Sequence, residues 1–203
     1  LYALDFKVGE GSSFILNTEN RNIDLNVYVA DRKKSSLDIE MHFGANGLIP
    51  VNMWQQFEFK LAKNRPIEIS QGLLLVKGDK NPEIMPKAMF KQKEGVQVQD
   101  FLFSSKDELS KNFVGDELVE TPGQTFIAKH YRRKNGEQVV DFWISEEVGP
   151  IGLVKLVSKS KTKKSQNYSI EFSSLLKNVA PSISPKNAVK MSEKNKKIFK
   201  ISN

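Results

Sequence analysis

Long stretches of this chain place an apolar side chain at every second position. Tyr2, Leu4, Phe6 and Val8 alternate with Ala3, Asp5 and Lys7. Ile23, Leu25, Val27 and Val29 alternate with Asp24, Asn26, Tyr28 and Ala30, and Leu37, Ile39, Met41 and Phe43 with Asp38, Glu40 and His42. Phe57, Phe59 and Leu61 continue the pattern around Glu58 and Lys60. Successive side chains of a strand point to opposite faces, so a period of two gives one packed face and one wet face. So many amphipathic strands require a large antiparallel sheet. Its apolar face then needs a cover: a second sheet, a helix or a bound apolar molecule.

A chain of 203 residues suits one large all-β domain or two small ones. The longest apolar run, Leu73-Leu74-Leu75-Val76, falls far short of the ~20 residues of a membrane-spanning helix. There is no cysteine, which excludes disulfides and thiolate metal sites and fits an oxidising compartment. The chain opens at Leu1 with no basic and apolar leader pattern, so a removed signal peptide is the expectation; trimming at a domain edge is the alternative. The net charge of +7 is concentrated from Lys177 onward, where seven lysines face one glutamate, leaving the preceding 176 residues at +1. A nearly neutral body lacks the basic stripe of a nucleic-acid binder. The division expected is a sheet domain over 1–178 and a basic, partly disordered tail over 179–203, suited to anionic headgroups.

Strands are predicted over 1–8, 12–18, 22–31, 35–44, 48–62 and 66–77. Asn46-Gly47 marks a tight hairpin between the fourth and fifth. Residues 78–95 lose the period, and Pro82 and Pro86 forbid a regular helix there. Ile84, Met85, Met89 and Phe90 remain apolar, so this segment should pack onto the sheet as a lid or edge, with a partial helix over 86–93. A strand follows over 96–103 with a bulge near Asp100, then a helix over 105–113 capped by Ser105 and Glu108. The remainder reads as a meander: a strand from Asp116, a type II turn at Pro122-Gly123, then strands over 124–133, 137–145, 151–159 and 167–176. Asn135-Gly136 is a second hairpin turn. Residues 188–201 fit a weak basic amphipathic helix.

Catalytic signatures are sparse. His42 and His130 both lie in strand patterns without metal-ligand spacing, and no nucleophile elbow, phosphate loop or dinucleotide fingerprint occurs. The aromatics carry more information. Phe57, Phe59, Phe101, Phe103, Phe126 and Phe142 fall on apolar registers, whereas Trp54, Tyr131 and Trp143 fall on the opposite ones. Either the phenylalanines are core alone or they line a concave apolar groove that holds a ligand.

The run Val119-Glu120-Thr121-Pro122-Gly123-Gln124-Thr125-Phe126-Ile127-Ala128-Lys129-His130-Tyr131 and the later Asp141-Phe142-Trp143-Ile144-Ser145 through Pro150, Gly152 and Lys155 resemble bacterial envelope proteins of the LolA/LolB-like lipoprotein-carrier superfamily. The resemblance covers about residues 114–176. It implies an open, strongly bent antiparallel sheet, an unclosed half-barrel whose concave face takes acyl chains. The fold class expected is therefore α+β, mostly β: a curved antiparallel sheet of roughly ten strands with one or two short helices. The function expected is that of a non-enzymatic periplasmic or cell-envelope protein. It would bind a lipid, acyl chain or acylated protein through Phe57, Phe59, Phe101, Phe103, Phe126 and Phe142. A monomer without cofactor, metal or nucleic-acid partner is expected, with residues 78–95 gating the groove. The alternatives are an interaction module docking onto another envelope protein and a hydrolase built around His130.

Overall fold

The computed structural model describes residues 6–45, 51–62, 65–91 and 109–198. Twelve strands among them form one sheet: β1 (Gly11–Thr18), β2 (Asn22–Arg32), β3 (Ser36–Ala45), β4 (Val51–Ala62), β5 (Arg65–Val76), β6 (Glu83–Ile84), β7 (Phe113–Glu120), β8 (Thr125–Asn135), β9 (Gln138–Ile144), β10 (Leu153–Ser160), β11 (Tyr168–Leu176) and β12 (Val189–Lys190). The spatial order is β12-β6-β5-β4-β3-β2-β1-β11-β10-β9-β8-β7. Two meanders, β1–β6 and β7–β11, thus join where β1 pairs antiparallel with β11. Only the short β12–β6 bridge is parallel. One short α-helix, α1 (Glu193–Ile198), follows. The fold is a mostly β, single, curved and unclosed sheet.

The period of two governs the packing. In β9, Gln138, Val140, Phe142 and Ile144 are buried, while Val139, Asp141 and Trp143 between them are half-buried on the other face. Across β2 and β3 the buried ladder pairs Val27 with Met41 and Val29 with Ile39, and the opposite face pairs Tyr28 with Glu40. The main core draws on β1–β4 and β7–β11 together with Val148 and Ile151 of the β9–β10 connection.

The curvature is visible in contacts that a flat sheet forbids. β8 and β11 are separated by β9 and β10, which at about 4.8 Å per strand would hold them about 14 Å apart. Yet the Phe126 and Phe172 rings meet edge to face with centroids 5.0 Å apart. Irregular registers bend the strands at Ser13/Phe14, Val29/Asp31, Glu58/Phe59, Phe113/Gly115 and Leu153/Lys155. Pro122-Gly123 turns the chain, but not as the type II turn expected. Gly123 has no positive φ. It lies against β11 so closely that a Cβ there would fall 2.0 Å from the Ser173 carbonyl oxygen. Gly136, at φ 58°, is the hairpin glycine that needs its conformational freedom.

Several local expectations shift. The strand expected over 1–8 has its described part, residues 6–8, outside any strand, and the Glu10 N–H closes a turn onto the Lys7 carbonyl at 3.0 Å. The Asn46-Gly47 turn, the 96–103 strand with its bulge and most of the 105–113 helix lie outside the described residues. Phe113, assigned to that helix, already belongs to β7. The proline-punctuated segment does pack on the sheet, through β6 and a 3-10 turn over Lys87–Lys91, with Met85 buried.

Residues 179–198 of the basic segment lie along the sheet. The buried Glu40 carboxylate accepts the backbone N–H groups of Ser182 (2.9 Å) and Ile183 (3.1 Å) and the Tyr28 hydroxyl (2.5 Å). Val189–Lys190 then bridges to β6, and beyond it Met191 and Asn195 are buried, Asn195 donating its amide to Glu83 at 2.9 Å. Backbone hydrogen bonds to a distant carboxylate leave no periodic trace in the sequence, so this docking was not legible there.

Candidate functional site

Four of the six predicted phenylalanines lie among the described residues. Phe59, Phe126 and Phe142 are almost fully buried members of the main core. Phe57 differs. Its register places it between Ile39 of β3 and Gly72 of β5. Half-buried, it packs against the main core and also against a second cluster of Leu74, Met85 and Met191. Phe101 and Phe103 lie outside the described residues.

The second cluster was not foreseen as a unit. Around its three buried members stand the half-buried Met53, Phe57, Val76 and Met89. Met53 and Val76 are register partners across β4 and β5, Met85 follows β6, and Met89 lies in the 3-10 turn. Four of the chain's five methionines thus converge on one end of the core-bearing face. Methionine is unbranched and polarizable, so it fills irregular space and adapts to varied apolar partners. No periodic signal in the sequence joins residues 53, 76, 89 and 191; only the sheet order does.

Strands β7, β8 and β9 carry a polar and aromatic cluster. His130 and Trp143 are cross-strand partners, and their rings stack with centroids 4.4 Å apart. His130 Nδ1 lies 2.8 Å from Glu117 Oε1, and its Nε2 lies 2.7 Å from Asp141 Oδ1. Arg132 Nε donates to the same Asp141 oxygen at 2.7 Å, and Trp143 Nε1 donates to Glu117 at 2.8 Å. The Trp143 and His130 hydrogen bonds hold the Glu117 carboxyl below the usual range. Burial pushes Asp141 upward, but the hydrogen bonds from Arg132 and His130 outweigh it and leave that carboxyl depressed too. Both imidazole nitrogens are therefore occupied by carboxylates and one ring face by indole. This arrangement ties β7, β8 and β9 together. The sequence placed His130 in a strand; its acidic partners depend on neighbouring registers.

Beside this cluster an open depression of about 500 Å³ is lined by Glu117, Leu118, Val119, Glu120, Trp143 and Lys155. Lys155 is paired with Glu171 at 3.0 Å. The other histidine, His42, stacks on Trp54 at 4.7 Å and meets Asn52 at 3.0 Å. Among the described residues no group of three or more His, Asp or Glu side chains is arranged to hold a metal, and no helix is long and apolar enough to cross a membrane.

No family model matches the chain, and no curated protein matches it. Similar solved structures include a chain in the complex of Pseudomonas aeruginosa MucA/MucB, with TM-score 0.40 and 13% identity over 90% of this chain and 56% of that one. A crystal structure of MucB gives TM-score 0.40 and 12% identity, over 95% of this chain and 61% of that one. The chain spans less than two thirds of the length of either match.

Proposed function

We propose that this chain is a non-enzymatic periplasmic or cell-envelope protein that binds an acyl chain or similar apolar ligand at the β4–β6 end of its curved sheet. The observation that carries the reading is the half-buried ring of Met53, Phe57, Val76 and Met89 around Leu74, Met85 and Met191. In this reading Phe57 is the contact shared by ligand and core. Phe59, two residues further along β4, belongs to the core behind it, and residues 78–91 border the site. Each methylene buried contributes about 0.8 kcal/mol, so eight carbons supply about 6 kcal/mol before the cost of association. The exposed lysines at 186, 190, 194 and 197 would face anionic headgroups.

The test is uptake of a fluorescent fatty acid, with native mass spectrometry of the protein purified from its own cells. A co-purifying lipid mass is expected, as is uptake that Phe57→Asp abolishes while the far-UV circular dichroism of the sheet persists. A clean apo mass with no uptake would overturn the reading. Because Phe57→Asp also touches the core, Met89→Asp provides a second variant at a side chain that packs only on the smaller cluster.

A further inference from the structure

The two ends of the sheet are finished differently. At one end the chain covers its own edge, with β12 laid parallel on β6. At the other, β7 is the last strand, and among the described residues it pairs only with β8. Natural edges are commonly blunted by lysine or proline. β7 has neither; its charges are Asp116, Glu117 and Glu120, all acidic. It is also apolar where it meets water. Leu118 is 71% exposed and its cross-strand partner Ile127 is 74% exposed, more than any other large apolar side chain described. Phe113 and Val114 are exposed as well.

We infer that the β7 edge is a docking site for an extended segment of a partner protein that adds to the sheet as a further strand and carries a basic–x–apolar–x–basic pattern. Residues 116, 118 and 120 share one face of β7. A strand laid beside them meets carboxylate, leucine and carboxylate at alternate positions, which fixes the complementary order. Main-chain hydrogen bonds to the side of β7 that, among the described residues, has no strand partner would supply the register, and the alternate side chains the selectivity. On the other face, Glu117 is already oriented by Trp143 and His130, and the adjoining depression has room for a side chain of the added strand. This inference is independent of the apolar site, which lies toward the other end of the sheet.

The test uses a fluorescein-labelled synthetic peptide, Thr-Lys-Thr-Ile-Thr-Lys-Thr, titrated by anisotropy into the full chain. Saturable binding is expected, weakened at least tenfold by an Asp116→Lys/Glu120→Lys variant. The same variant should gain affinity for a peptide with glutamate in place of both lysines. Both positions are exposed, so the variant folds, which fatty-acid uptake at wild-type level would also show. A backbone N-methylated peptide binding as well as the parent would overturn strand addition. Absence of binding to the wild type would overturn the site. A wild-type dimer that Leu118→Lys dissolves would overturn the partner in favour of a second copy of this chain. Peptide binding without fatty-acid uptake would sink the apolar-ligand reading and leave this one standing.

Discussion

Asp38 offers a sharp test of how this sheet handles charge. It is buried in β3, opposite Glu58 of β4 and Asp31 of β2. Burial is the largest influence on its carboxyl and Glu58 the next, and together they raise it from the usual 3.8 to about 6, with Lys33 acting in the other direction. The folded protein therefore holds this proton more tightly than the unfolded chain. Between the two values the native state binds more protons than the unfolded state, so stability falls as pH rises through that window and stays low above it. A rise of about two pH units at about 1.4 kcal/mol each sets a ceiling of about 3 kcal/mol, and residual hydration should reduce it to about 1–2 kcal/mol. Asp38→Asn removes the ionisation and keeps the shape. Urea unfolding of both proteins from about pH 4 to about pH 8 should show the variant gaining on the wild type up to about pH 6 and holding a constant advantage beyond. A stability difference that is flat across the range, or a variant less stable at neutral pH, would refute the reasoning.

Other outcomes follow from the same geometry. Gly123→Ala forces a methyl against the Ser173 carbonyl oxygen, a backbone atom, and should lower stability by about 1–3 kcal/mol, read as a lower urea midpoint. Glu40→Ala removes the acceptor shared by the Tyr28 hydroxyl and the Ser182 and Ile183 N–H groups and should cost about 2–4 kcal/mol; amide exchange should accelerate first at 182 and 183. Glu117 and Asp141 both have depressed carboxyl pKa values, so their contribution to stability is present at neutral pH and is lost as pH falls through the folded-state values. Glu117→Gln/Asp141→Asn should therefore be destabilising near pH 7, with a difference from wild type that shrinks in acid.

The strand content was legible because each strand reports its own burial through its period. Val27, Val29, Leu37, Ile39 and Phe142 are inside, as the alternation requires. That the two meanders form one continuous sheet was favoured but not fixed, since the β1–β11 pairing joins residues 150 or more positions apart. The site was less legible. Phe57 was marked by its register, but its distinction from Phe59, two residues away on the same face, arises from the smaller cluster that only the folded sheet assembles. The methionines carry no period, and two-residue strands such as β6 and β12 are too short to show one. The Glu117–His130–Asp141 cluster depends on cross-strand register, which hydrophobic pattern constrains only to within a slip of two.

The seam between β1 and β11 has a consequence for how the chain acquires its shape. Every other antiparallel strand pair joins neighbours in sequence, so each meander can zip from its own hairpins within a short stretch of chain. The seam cannot form until the eleventh strand is available, and long-range pairing of this kind slows folding. Until then β1 offers an open edge to whatever lies nearby, including the same strand of another newly made molecule. The rate at which β11 reaches β1, rather than the stability of either half, would then set the period during which the nascent protein is vulnerable to aggregation.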